Sequence, residues 1–217
     1  MYQNDPMKVL TGECRLSYAH LTTPYANPQQ PNAEPKYAVT LLIPKSDVAT
    51  KADIDAAIQA AANDAVQKKW GGVRPPVPKI PVWDGDGVRQ SGAAFGEECK
   101  GHWVLTASTK QKPQVVDQSN INCELAPQDI YSGMYARVTI RFFGYNNSGS
   151  KGIGCGLGNV MKTRDGEPLS GGSSAANDFA GVGQSVVAPA AAPAYGATPA
   201  PQYGATPQIN PITGLPM

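Results

Sequence analysis

Residues 152–158 read Gly-Ile-Gly-Cys-Gly-Leu-Gly, a glycine at every second position with an apolar side chain between. Only an extended strand has a side-chain period of two, so this stretch specifies a strand with one apolar face and one bare face. A bare face lets another backbone or a ligand approach closely. Tight curvature of a closed sheet explains it as well as a ligand does, and is the preferred reading. The spacing fails GxGxxG in every register, which excludes a dinucleotide loop here.

The preceding segment alternates too. Ala136, Val138, Ile140 and Phe142 fall on one face, which is apolar and belongs in a core. Tyr135, Arg137, Thr139, Arg141 and Phe143 fall on the other. Further strand signals lie at 13–21, 36–43, 103–108 and 114–117. One helix is predicted over 50–70, where Ile54, Ala57, Ile58, Ala61, Ala65 and Val66 form a single stripe. Thr50 or Ser46 can cap it, Asp53 and Asp55 sit in its first turn, and Gly71 follows its end. Residues 75–83 are too rich in proline for a central strand and form an extended loop or an edge. Several strands, one inserted helix and glycine-rich turns predict a mainly β fold, an OB-like barrel. A sandwich of similar strand number is the competing architecture.

Residues 1–180 are expected to hold this domain. Residues 181–217 carry no charged side chain and repeat Tyr-Gly-Ala-Thr-Pro at 195–199 and 203–207. Such a segment buries too little apolar surface to offset its ordering entropy, so a disordered tail is expected.

Basic and acidic residues nearly balance, 18 against 17, so any electrostatic partner must be read from their placement. Three windows contain no acid. Residues 66–83 hold Lys68, Lys69, Arg74 and Lys79 with Trp70 and Trp83; 99–116 hold Lys100, Lys110 and Lys112 with Trp103. Residues 130–164 hold Arg137, Arg141, Lys151, Lys162 and Arg164 among five tyrosines and phenylalanines. Segregation of this kind predicts a positive face on a nearly neutral chain. On 135–143, cations interleave with rings as a nucleic-acid single strand requires: guanidinium for phosphate, rings for base stacking. An amphipathic strand with a solvated outer face is the plain alternative; an exposed Phe143 favours binding. The candidate DNA-binding residues are Arg137, Arg141, Tyr135 and Phe143, then Lys36, Tyr37, Trp103, Lys110, Lys112 and Lys151.

Other chemistries find no support. Cys14, Cys99, Cys123 and Cys155 are far apart and only two histidines exist, so no zinc site is expected. No apolar signal core begins the chain and no stretch reaches the roughly 18 apolar residues of a membrane span. Reduced thiols in a cytoplasm are the expectation. Gly144 and Gly149 precede Ser150-Lys151, the reverse of the phosphate-loop order. Asp84-Gly-Asp86-Gly opens like a calcium loop, but Val88 occupies the third ligand position, so a tight turn is expected. No nucleophile–base set emerges, and neither an enzyme nor a cofactor is expected.

Several motifs in order carry a resemblance: Lys36-Tyr-Ala-Val-Thr-Leu-Leu-Ile-Pro-Lys45, Trp83-Asp-Gly-Asp-Gly87, Val115-Val-Asp117, Tyr131-Ser-Gly-Met-Tyr-Ala-Arg137, Lys151-Gly-Ile153 through Val160, Asp165-Gly166 and Asn177-Asp-Phe179. Together they resemble a bacteriophage family of single-stranded DNA-binding proteins. The resemblance spans roughly residues 8–180. It implies an OB fold, sequence-tolerant binding of single-stranded DNA, and a place in phage replication or recombination beside the proteins of those processes. Related replication proteins end in an acidic tail; this one does not. A phage structural or assembly protein is the second expectation, since a β domain with a flexible tail suits that role without a basic face.

Overall fold

The computed structural model describes residues 4–26, 34–89, 91–147 and 149–169. The chain divides into two units, Met1–Asp178 and Phe179–Met217; the tail expected to be disordered lies outside the described residues.

Among the described residues the first unit has nine strands and one α-helix: β1 (Lys8–Leu10), β2 (Cys14–Tyr25), β3 (Lys36–Pro44), α1 (Val48–Lys68), β4 (Val82–Asp84), β5 (His102–Thr109), β6 (Val115–Asp117), β7 (Asn120–Glu124), β8 (Tyr135–Asn147) and β9 (Ser150–Arg164). Five strands pair in a ring. β2 pairs with β3, β3 with β5, β9 with β8, and β8 with β2, all antiparallel; β5 and β9 close the ring in parallel at Ser108 and Gly156. β1 continues the edge of β8 beyond β2, β4 adds to β5, and the β6–β7 hairpin extends β9. An OB-like ring, rather than a sandwich, is the arrangement.

The alternation on β8 holds. Ala136, Val138, Ile140 and Phe142 are buried in one core with Val39, Leu41, Ile43, Leu105, Ala107, Ile153, Cys155 and Leu157. The ladder with β9 is irregular twice, each time by an extra residue on β9: Tyr135 opposes Arg164 but Ala136 opposes Lys162, and Val138 opposes Val160 but Ile140 opposes Leu157. The glycines of β9 have a more specific reason than curvature. A Cβ at Gly154 would lie 2.6 Å from the Phe143 ring, and one at Gly152 would lie 2.6 Å from the Tyr145 hydroxyl. The bare face is the bed on which the outward rings of β8 lie.

The helix differs from expectation at its start. Asp47 is the cap, its Oδ1 accepting from the Thr50 N–H at 3.0 Å. Thr50 is buried instead, its hydroxyl accepting from the Gly12 N–H at 2.8 Å. Beginning at Val48, the helix carries Asp53 and Asp55 past its first turn, and Asp55 pairs with Lys51 at 2.6 Å. Ile54, Ala57, Ile58, Ala61, Ala62 and Ala65 face the core, and Ala65 reaches Gly144 so closely that no side chain fits there. Trp70, just past the helix, is buried and donates its indole N–H to the Tyr145 carbonyl at 2.9 Å. β1 and β7 were not expected as strands, and β4 begins within the stretch expected as an extended loop or an edge. β1 and β4 are three residues long, too short to show a period, and β7 is exposed throughout, so it has no buried face to alternate.

Candidate nucleic-acid interface

Because Val39, Leu105, Cys155 and Ile140 point inward, their strand neighbours point out. Register joins the outward residues of five strands into one row: His20 opposite Ala38, Ala38 opposite Ser108, Ser108 opposite Gly156, and Gly156 opposite Arg141. Lys8 of β1 continues it beyond Arg141. The middle of the row has the smallest side chains, and rings and cations stand at its two ends.

At the first end β2 is bulged. Ser17 opposes Thr40 and His20 opposes Ala38, so β2 spends one residue more than β3. Tyr18 lies in that bulge with φ +48°, the one non-glycine among the described residues with positive φ. A bulky side chain in this region is strained and usually held for a reason. Here the bulge turns the tyrosine outward, 63% exposed, and returns Ala19 and Leu21 to the core side. The rings of His20 and Tyr25 stack 4.5 Å apart. Tyr18, His20, Tyr25, Ala38, Thr40 and Thr106 line a hollow of about 450 Å³. Across Tyr18 a second hollow of about 290 Å³ is bounded by Trp83, Arg89, Phe95 and Glu98.

At the other end Phe143, 44% exposed, lies beside Lys8, Arg141, Gly156 and Gly158 in a groove of about 510 Å³. Arg141 does not face it unengaged. Its Nε donates to the Asp5 carboxylate at 2.8 Å, and that hydrogen bond, above all, holds Asp5 below its ordinary 3.8.

The same accounting corrects the positive face expected from the acid-free windows. Folding brings acids from elsewhere: Lys110 pairs with Glu34, Lys112 with Glu124 at 3.6 Å, and Arg164 with Glu13 at 3.0 Å. Lys162, 7% exposed, pairs with Asp165 at 2.7 Å and donates to the Asp129 carbonyl. Most of these pairs are exposed and therefore weak, so a phosphate can compete for the cation.

Of the sequence candidates, Arg141 and Phe143 share the groove, and Lys36 stands exposed opposite Tyr25 at the other end of the row. The remainder lie elsewhere. Tyr135 sits under the Arg164 guanidinium, 3.4 Å from its ring centroid. Arg137 donates its Nε–H to the Thr11 carbonyl at 3.0 Å. Tyr37 has the inward parity of Val39, and Trp103 that of Leu105. Lys45 and Lys51 lie 5.1 and 4.7 Å from the Trp103 ring centroid. Lys151 donates to the Trp70 carbonyl at 3.0 Å. Sequence reasoning missed Tyr18, His20, Tyr25, Trp83, Arg89 and Phe95. A signal existed: Leu16 and Leu21 are both core-sized and five apart, a spacing that only a bulge reconciles with two inward residues.

Cys14 is fully enclosed and burial pushes its thiol up to about 12; burial also raises Cys155. Burial keeps both as neutral thiols. Nor does Asp84-Gly-Asp86 hold a cation site: the Lys45 ammonium lies between the two carboxylates, 2.5 and 2.6 Å away.

A five-stranded ring whose third and fifth members run parallel, with rings on the outer face of β2 and hydroxyls on that of β3 and β5, defines an OB-type fold. Residues 7–187 match the family described as Enterobacter phage Enc34, ssDNA-binding protein, and the chain belongs to that family. A putative protein, p50, of Acyrthosiphon pisum secondary endosymbiont phage 1 is 30% identical over 177 residues, covering 76% of this chain and 88% of that one. The single-stranded DNA-binding protein from bacteriophage Enc34, solved in complex with ssDNA, superposes with a TM-score of 0.65 at 30% identity, covering 77% of this chain and 91% of that one. Another structure of the same phage protein gives 0.63 at 29%, covering 82% and 92%.

Proposed function

We propose that this protein binds single-stranded DNA across the outer face of its ring, along the row from His20 through Ala38, Ser108 and Gly156 to Arg141. The observation that carries this reading is the row itself. A trough of small residues admits a sugar–phosphate backbone closely, while Tyr18, His20 and Tyr25 at one end and Phe143 at the other offer faces on which bases stack. Stacking accepts every base, so binding is sequence-tolerant. Lys8, Lys36, Arg89 and Arg141 flank the path and take phosphates, and Tyr135, Arg137, Lys110, Lys112 and Lys151 support the strand from outside the row, whereas Tyr37 and Trp103, with inward parity, take no part. Family membership supports the same ligand. The protein acts as a stoichiometric cover for single strands in phage replication or recombination, in the host cytoplasm, with no reaction of its own.

Titration of labelled oligo-dT, of the matching duplex and of oligo-rU tests it. Oligo-dT should bind best, and with about four phosphates neutralised log affinity should fall with a slope near −2.8 against log salt. Preference for the duplex, or binding that ignores salt, would contradict it.

A further inference from the structure

The hollow between Tyr18 and Trp83 differs in chemistry from the rest of the row. Elsewhere the path offers rings, hydroxyls and cations, and the Asp5 carboxylate of the β8 groove is held by Arg141; here Glu98 adds a carboxylate, bordered by Arg89, whose guanidinium lies 5.2 Å from the Phe95 ring centroid. Among the described residues no lysine or arginine forms an ion pair with Glu98, and its hydrogen-bond partner is the Cys99 thiol at 3.8 Å. A carboxylate along a phosphate path is a repulsive element unless it meets the edge of a base. It accepts hydrogen bonds and donates none. Guanine presents two adjacent donors, N1–H and the 2-amino group, which a carboxylate accepts together. Thymine presents a single N3–H between two carbonyl oxygens, both of which repel it. Arg89 supplies donors for guanine O6 and N7, a frequent specific contact of arginine. Three aromatic residues, Tyr18, Trp83 and Phe95, line a volume of about 290 Å³, ample for one base.

We propose that this hollow is a base-selective subsite for guanine within an otherwise sequence-tolerant path, with Glu98 reading N1–H and the 2-amino group and Arg89 reading O6 and N7. The proposal rests on the single-strand reading above, and its test separates the two. Competition titrations compare oligo-dT with the same oligomer carrying one central dG, and with one carrying deoxyinosine, which lacks the 2-amino group. The single dG should tighten binding about tenfold, the scale of one good bidentate contact, and deoxyinosine should forfeit most of that gain. In Glu98→Gln the dG and dT oligomers should bind within about twofold of each other, at the wild-type melting temperature. Equal binding of all three oligomers to the wild type, or a dG preference that survives Glu98→Gln, overturns the subsite and leaves the single-strand reading standing. Failure of every oligomer to bind overturns both.

Discussion

The two ends of the outward row are built from different materials. At the β8 end, Arg141 and Phe143 come from strict alternation along an unbroken stretch, and the cation there is already held by Asp5. At the β2 end, Tyr18, His20 and Tyr25 come from a strand whose register with β3 shifts twice, and the groups are mainly rings. One end is regular and charge-compensated, the other irregular and aromatic. The difference teaches that a linear charge pattern says little about net field after folding, because acids return from distant segments. Aromatic surface set out by a bulge survives folding because no other residue neutralises it.

The largest expected effect separates the inner face of β8 from both ends. Ile140→Ala opens a cavity beneath the row and should cost about 2–5 kcal/mol of stability, read from denaturant unfolding, while the protein that stays folded still binds oligo-dT. Next come the rings. Phe143→Ala and Tyr18→Gly should each weaken oligo-dT binding by about 1–3 kcal/mol. Their stabilities should diverge: Phe143→Ala leaves the melting temperature close to wild type, whereas Tyr18→Gly removes a left-handed strain of about 1 kcal/mol and should raise it. A Tyr18→Gly variant that binds normally would show that the bulge serves the core alone.

A smaller effect probes compensation at the β8 end. Asp5→Asn frees Arg141, so oligo-dT affinity should rise a few-fold at low salt and the salt slope should steepen by up to about 0.7, one phosphate's share on a single strand. An unchanged slope would mean that Asp5 never competes with phosphate. The smallest effect is pH. Arg141 hydrogen bonding holds Asp5 below its ordinary 3.8, and Thr163 first, then Arg164, holds Glu13 below 4.5. A depressed carboxyl stabilises the fold above its ordinary pKa, and that contribution is lost as pH falls through the folded value. Melting temperature should therefore hold from about pH 7 to 5 and decline below about pH 4. A decline already complete at pH 5 would point to other groups.

Much of the scaffold was legible because it depends on local period. The β8 alternation, the glycine strand, the helix over 50–70 and the proline-rich edge at 75–83 all follow from backbone rules that neighbours do not alter. Asp47 as the helix cap was missed because Thr50 and Ser46 satisfy the same rule, and only the Gly12 contact decides among them. Trp103 could not be placed from sequence: its strand parity is readable, but the lysines over its ring come from β3's end and from α1. The pairing of Arg141 with Asp5 spans 136 residues, beyond any window read along the chain.

Photocross-linking of 5-iododeoxyuridine-substituted oligo-dT, followed by peptide mapping, tests the central claim most directly. The account predicts cross-links at both ends of the row, to Tyr18, His20 or Tyr25 and also to Phe143, with Trp103 and Trp70 unlabelled. Labelling confined to Trp103 or Trp70, or to one end of the row alone, would contradict a single strand that crosses the face from β2 to β8.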